Sequence, residues 1–465
     1  MNRGSRLLFL FLCILLPTMS LGQETSLEEL LRISEASYPS IAAKKYQTEA
    51  KGVAVKEQRT GFFPSLDAAY QANYATANNI TGMFYPGLVM PISGPPSPEN
   101  SYSPVWGSAA SLLMNWRPFT FGRRNAGVAV AKSDEELARA DEELTIFEHK
   151  IRFLEAYIDY CFAAEVVRVK QAELDRTNYN LEVSKELTLT GLAPGVDSAV
   201  FKTEYAKAKI DLLNANQLLK VKLIRVQELL GTDSIALKPL SEFGGRFPHA
   251  SAPQGQGLPH PVLKVHRQQI DLLENKKKEL RRQLYPDFNV WGITFARGSG
   301  IPFSVPGTEP PPINPADGLV FSRYNFGLGF QLSMPILAFP AHGFRVKQQE
   351  LEIKSRLARQ EEADRTIQKE KEIALASLES AVEAASLSPV FFESAEYSYE
   401  AMKARYDAGM VNQTDLLQAQ FNLAKAEVDM KAAYVEAWKM LLYKAAVEGD
   451  LDVFFSQINN KHGFN

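Results

Sequence analysis

The chain has 465 residues, a net charge of −3 and 23 % charged side chains, so nothing in its charge suggests nucleic acid or an acidic partner. A chain this long ordinarily folds as two to four globular domains. Its only cysteines are Cys13 and Cys161, and Cys13 falls in a leader-like segment, which leaves the mature chain no internal disulfide.

Arg3 and Arg6 precede the apolar run Leu7 to Leu16, and Ser20-Leu21-Gly22 closes the segment before Gln23. This is the layout of a cleaved secretory signal, residues 1–22. Cys13 follows Phe11 and Leu12, where a lipidation site would have small residues. Beyond the leader no stretch approaches the roughly 20 apolar residues of a membrane helix, so any membrane span must be made of strands.

Leu27, Leu30, Leu31 and Ile33 predict a short amphipathic helix ending at Tyr38-Pro39, and a second helix, about 41–60, stops at Gly61 before Pro64. The period then changes to two. Over 65–75, Leu66, Ala68, Tyr70, Ala72 and Tyr74 alternate with Asp67, Ala69, Gln71 and Asn73, which predicts a strand. After a Pro-rich loop a second strand, 105–116, puts Trp106, Ala110, Leu112, Met114 and Trp116 on one face, with Leu113 breaking the pattern.

No proline occurs between Pro118 and Pro194, and 125–190 reads as one helix with Phe147, Ile151, Leu154, Ile158 and Phe162 along a stripe. At about 1.5 Å per residue it is on the order of 100 Å long, more than any single globular core requires. It must lie against other helices in coiled-coil fashion. Gly191 to Gly195 make a turn, and a returning helix runs to about 230.

Residues 232–259 read as a connector with little regular structure. A helix from Pro261 follows, then a strand over 287–297 whose phase slips near Trp291, as at a bulge around Gly292. After a second Pro-rich loop, the strand 324–334 turns Tyr324, Phe326, Leu328, Phe330, Leu332 and Met334 one way. A long helix from Phe344 to Ala408 contains Pro389, which should kink or break it. The last helix, 416–447, carries the seam Leu417, Phe421, Ala424, Val428, Val435 and Leu442, and 450–465 is left as a tail.

Much of this occurs twice. At an offset of 218, Gly409, Asp415, Ala424, Lys425, Ala426, Asp429 and Gly449 match Gly191, Asp197, Ala206, Lys207, Ala208, Asp211 and Gly231. Pro261 and Pro286 likewise match Pro39 and Pro64 at an offset of 222. The chain therefore divides into a first repeat, 23–231, and a second, 260–449, joined by the connector.

Strands of about 11 residues, apolar and aromatic on one face and small or polar on the other, fit a membrane barrel. A soluble, half-buried sheet shows the same alternation. The secretory signal and the aromatic belt of Tyr70, Tyr74, Trp106, Trp116 and Tyr324 favour the barrel. Four strands cannot close one, and lipid tolerates no open edge. Copies of the chain must complete the circle, and their helices would extend it as a hollow cylinder.

The whole span from about Leu27 to Gly449 resembles the TolC family of bacterial outer-membrane efflux proteins. The resemblance rests on Tyr406, Gly409, Asp415 and Gly449, on Gly191, Asp197 and Gly231, on Pro64 and Pro286, and on Pro118-Phe119-Thr120-Phe121-Gly122-Arg123. It implies a mainly helical fold: a long coiled-coil helical barrel plus four strands per protomer, three protomers forming a twelve-stranded barrel in the outer membrane. It also implies a periplasmic tunnel that docks on an adaptor protein and an inner-membrane pump. The Pro-rich loops, about 78–104 and 297–322, would be extracellular, and the turns at Gly191 and Gly409 would form the periplasmic tip.

Asp415 lies one turn inside a helix start, where the helix dipole alone favours an acid. As a ring of three it would also form a cation-selective constriction. The family often adds a second Asp one turn on; Gln418 stands there instead, which predicts a less acidic ring. Tyr406 and Asp197 match positions that hold the tip closed in the family, although the basic residue that often joins them is Val411 here. Plain packing is an equal reading of Tyr406.

The six histidines are scattered, His260 and His266 lie on nearly opposite helix faces, and Cys161 falls on the apolar seam. The sequence shows no metal site, cofactor motif or catalytic constellation. The expected function is an outer-membrane conduit for small-molecule efflux, with no enzymatic activity. The alternatives are a protein-secretion conduit of the type I kind and, in a different class, a secreted soluble coiled-coil scaffold.

Overall fold

A computed structural model describes residues 26–76, 78, 83–85, 88–90, 99–191, 195–232, 235, 237–249, 259–301, 314–336 and 339–459, with only the backbone placed for 83–85, 88–90 and 195–197. The leader, parts of both Pro-rich loops and the last residues of the tail lie outside these. In order the elements are α1 (Leu27–Ser37), α2 (Pro39–Thr60), β1 (Ser65–Ala75), β2 (Met83–Tyr85), β3 (Leu88–Met90), β4 (Val105–Phe119), α3 (Arg123–Leu189), α4 (Gly195–Leu230), α5 (Glu242–Gly245), α6 (Pro261–Arg282), β5 (Asp287–Ser299), a 3₁₀ turn (Pro315–Leu319), β6 (Arg323–Ser333), α7 (Phe339–Asp407), α8 (Gln413–Glu448) and α9 (Asp452–Asn459). They form two compact units, one from 47–139 and 266–360, the other from 1–46, 140–265 and 361–465.

The first unit holds an antiparallel sheet in the order β1-β4-β5-β6, with a separate small hairpin made by β2 and β3. The register assigns every side chain to a face. Leu66, Tyr70 and Tyr74 of β1 share a face with Trp106, Leu112, Met114 and Trp116 of β4, Phe288 and Val290 of β5, and Tyr324, Phe326, Leu328, Phe330 and Leu332 of β6. This apolar face is open: Phe326 is 90 % exposed and Leu328 76 %. The opposite face carries Asp67, Gln71, Asn73, Asn115, Asn289, Asn325 and Gln331.

The phase slip in β5 is not a bulge. Pairing with β6 runs without a shift from Asp287 to Arg297, and the irregularity lies instead in β4 between Trp116 and Phe119, where Pro118 has no amide to donate. The pattern slips because Trp291 belongs to the polar face, directly opposite Gly329. Its ring covers that strand so closely that a Cβ on Gly329 would lie 2.6 Å from it, and one on Gly327 3.2 Å. Leu113, which broke the alternation of β4, is on the same face and pairs with Ile293.

The Pro118 to Arg123 motif makes the junction from β4 to α3. Phe121 and Gly122 both take positive φ, 48° and 84°, which turns the chain within two residues. The φ of Gly122 strains any residue with a Cβ, and that Cβ would lie 1.6 Å from the Arg282 guanidinium, which would have to swing aside. Arg123 Nη2 then bonds both carboxylate oxygens of Asp287, at 2.7 and 2.6 Å, tying the start of α3 to the start of β5.

The second unit is helical. α3 and α7 are 67 and 69 residues long in all, and α4 and α8 36 each. α1 enters through its N-cap Ser26, which accepts from the Glu29 amide. Its Leu27, Leu30 and Leu31 pack with Phe153, Leu154, Tyr157 and Cys161 of α3 and with Trp438 and Leu441 of α8. Cys161 is 1 % exposed, and burial pushes its thiol up to about 12.

Three segments carry more packing than their sequence patterns indicate. The connector includes α5, whose Phe243 is fully buried against Trp438 and Phe454. It is held by core side chains that bond its carbonyls: Tyr157 to Lys238, Tyr160 to Leu237 and Trp438 to Arg246. The tail forms α9, with Phe454 as its buried anchor. Of the expected α8 seam Ala424, Val435 and Leu442 are buried, whereas Phe421 is 51 % exposed, and Leu416, Ala419, Leu423, Ala426, Ala437, Trp438 and Leu441 are buried beside them. Alanine lets helices approach closely, so small residues mark that contact better than large ones. Pro389, finally, lies within α7 without ending it.

Candidate functional site at the helical turns

Both long hairpins turn on a glycine. At the second, α7 closes with the Met410 amide on the Arg405 carbonyl, 2.8 Å, and the Gly409 amide on the Tyr406 carbonyl, 2.9 Å. Gly409 has φ 70°, completing a Schellman cap in which left-handed backbone is needed at that one residue. Asn412 then caps α8 by accepting from the Asp415 amide, 2.9 Å. Gly191, with φ 73°, makes the corresponding turn after α3. Neither Gly191 nor Gly409 has any atom within 4 Å of where its Cβ would be, so both tips are open to solvent.

Asp415 is exposed in the first turn of α8, at the third helical position, where its charge faces the positive end of the helix. Gln418, one turn on, is also exposed and donates to Asn422 at 2.9 Å. Asp197 occupies the first turn of α4, and its side chain lies outside the described residues.

Tyr406 is half-buried and meets the fully buried Phe201 edge to face, with ring centroids 6.2 Å apart. Around that pair Leu181, Tyr399, Leu416, Ala419 and Leu423 form a small core that joins the ends of α3, α4, α7 and α8. The structure thus brings Tyr406 to α4 one turn beyond Asp197.

A chain of buried polar groups beside this core had not been singled out in the sequence. Asn180 donates to Gln420 at 2.9 Å, Gln420 donates to Thr177 at 2.6 Å, and Thr177 donates to the Glu173 carbonyl at 2.8 Å. Tyr399 joins through Asn180, and burial pushes its phenol up. The chain fixes the register of α8 against α3, because a slip of either helix would leave buried amides without partners. The available signal was Gln420 itself, a polar residue inside the Leu416, Ala419, Leu423 series.

Next to it, a cavity of about 450 Å³ is lined by Thr177, Val200, Lys207, Gln418, Gln420 and Phe421. Lys207 lies over the Phe421 ring, 5.9 Å from its centroid. Among the described residues no three metal-ligating side chains come together, and no helix is long and apolar enough to cross a membrane.

No curated protein matches it in sequence. Among solved structures, the outer membrane protein VceC of Vibrio cholerae is 14 % identical and superimposes with a TM-score of 0.69 over 91 % of this chain and 96 % of that one. The CmeC outer membrane channel of Campylobacter jejuni is 13 % identical, with a TM-score of 0.70 over 91 % and 85 %. The MtrE outer membrane channel of Neisseria gonorrhoeae, in its open state, is 14 % identical, with a TM-score of 0.70 over 92 % and 89 %. At such identities the likeness is one of fold. The outer membrane efflux protein family model matches residues 30–232 and 260–441, most of the sequence, and the chain belongs to that family.

Proposed function

We propose that three copies of this chain form an outer-membrane conduit that exports small molecules, driven by an inner-membrane pump through a periplasmic adaptor. One observation carries the reading. The sheet ends in β1 and β6, and among the described residues neither has a partner on its outer edge, while one face is largely apolar, with Leu66, Tyr70, Tyr324, Phe326, Leu328 and Phe330 exposed. Lipid covers such a face, but unpaired edge amides and carbonyls in lipid cost several kcal/mol each. Joining β6 of one copy to β1 of the next removes every edge.

The helices support the same assembly. Ile210, Leu213, Val221 and Ile224 form an exposed apolar series on α4, suited to a neighbouring copy. In this reading the polar face of the sheet lines the lumen, and Asp415 and Gln418, with Asp197, Tyr406 and the turns at Gly191 and Gly409, form the constriction.

The test is reconstitution of the purified protein in planar bilayers. A conduit gives stepwise conductance, and Asp415→Ala raises it while lowering cation selectivity. Protein that needs no detergent and inserts no conductance would instead be the soluble scaffold. An unchanged trace for Asp415→Ala would return that residue to its helix-end role.

A further inference from the structure

On its polar face β5 presents, from one end to the other, Trp291, Ile293, Phe295 and Arg297. Every other strand is polar or small on that face, except for Leu113 beside Ile293 and Val105 at the start of β4. Its direct neighbours are Gly329, Gly327 and Asn325 on β6 and Asn115, Leu113 and Ser111 on β4, so the two glycines leave a shallow trough along its β6 side. Trp291 is laid flat on the two glycines.

The strip ends in two cations. Arg297 and Arg323 are direct cross-strand partners, an arrangement that repels unless something negative lies between them. Among the described residues neither makes an ion pair with a carboxylate. The Arg297 guanidinium lies over the Phe295 ring, 5.8 Å from its centroid, and Arg323 donates to its neighbour's carbonyl at Ser322, 2.9 Å. Their row continues with Ala109 and Gln71, neither of them charged. Of the acids on this face, Asp67 is two rows away on β1, and Asp287, at the far end, is held by Arg123.

Two guanidinium forks at the head of an apolar trough match one ligand chemistry. A carboxylate, sulfonate or phosphate takes the forks bidentately, and its apolar body lies along Phe295, Ile293 and Trp291. At about 3.3 Å per residue, the strip from Arg297 to Trp291 is roughly 20 Å long, which suits a small molecule. Resting on the reading of the polar face as lumen, we infer that this strip is a binding site for amphiphilic organic anions and makes them a preferred cargo.

The experiment uses the full chain in lipid nanodiscs and three probes with one ring system: 1-naphthalenesulfonate, 1-naphthalenemethanol and 1-naphthylmethylammonium. Calorimetry should show the sulfonate binding about tenfold more tightly than either of the others. R297Q/R323Q should abolish that preference and leave the neutral probe's affinity as it was, while Ile293→Thr should weaken the sulfonate and the neutral probe together. Equal binding of the three probes overturns the site, as does a preference that survives R297Q/R323Q. Inorganic sulfate competing as well as naphthalenesulfonate also overturns it, because the trough would then contribute nothing. The comparison on the unaltered protein decides the matter even if the double variant fails to assemble. Binding without conductance would retire the conduit and keep the site; conductance without a preference among the probes would do the reverse.

Discussion

The Ser388 hydroxyl donates to the carbonyl of Ala385 at 2.8 Å. That carbonyl is the acceptor four residues before Pro389, the one a prolyl nitrogen cannot reach with a proton. Ser388 supplies the missing bond, and α7 continues through the proline. Pro389→Ala restores the amide and should stabilise the protein by about 1–3 kcal/mol, read as a rise in thermal midpoint. Ser388→Ala alone should lower it by roughly 1 kcal/mol, and in the Pro389→Ala background it should cost almost nothing. Equal losses in both backgrounds would mean that the hydroxyl is not bonding for the proline.

The glycines that end the long helices differ in what surrounds them. Gly409 needs its positive φ and nothing else, so Gly409→Ala should cost about 1–2 kcal/mol. Gly231 has φ 72°, and its Cβ would also lie 2.9 Å from the Ser37 carbonyl oxygen. Gly231→Ala adds an overpacking cost of about 1–3 kcal/mol to the conformational one. Denaturant unfolding of the two variants should rank them in that order.

Leu328 is at the middle of β6 on the apolar face and is 76 % exposed. If that face meets lipid, Leu328→Lys should lower assembly stability by roughly 2–4 kcal/mol near the membrane midplane, whereas Asn325→Lys on the opposite face should be tolerated. Trimer yield on unheated gels reports both. The reverse ranking would turn the sheet inside out.

His260 gives the protein a defined response to acid. Its Nδ1 accepts from the Val262 amide at 3.2 Å, so Nε2 carries the proton and faces the Ala446 carbonyl, also at 3.2 Å. Burial depresses its pKa below the ordinary 6.5, as it does for His149 and His266. With the folded value the lower one, this stabilisation is complete above 6.5. It is lost as pH falls from there toward the depressed folded value. Melting temperatures should therefore drop between pH 7.5 and 5.5, and less steeply in His260→Gln. Parallel curves would exclude the ring as a contributor.

The element types were legible because the periods were long and clean. Alternation from Tyr324 to Met334 and the proline-free stretch after Pro118 left little choice. Errors fell where one large side chain crossed to the other face, as with Trp291 and Leu113, or where short apolar words such as Phe243 and Phe454 anchor segments that are otherwise polar. Of the turn residues, Gly409 could be read from its place in the repeat. The Asn180, Gln420 and Thr177 chain could not, since 240 residues separate its first two members and only folding makes them neighbours.

Trp291, Gly327 and Gly329 form a single unit distributed over two strands. An alanine at 329 displaces the indole, one at 327 crowds it at 3.2 Å, and shrinking the tryptophan alone leaves two bare stretches of backbone. Sequences descended from a common ancestor should therefore exchange all three together or keep all three, and a relative with a bulky residue at the 329 position should carry a small one at 291.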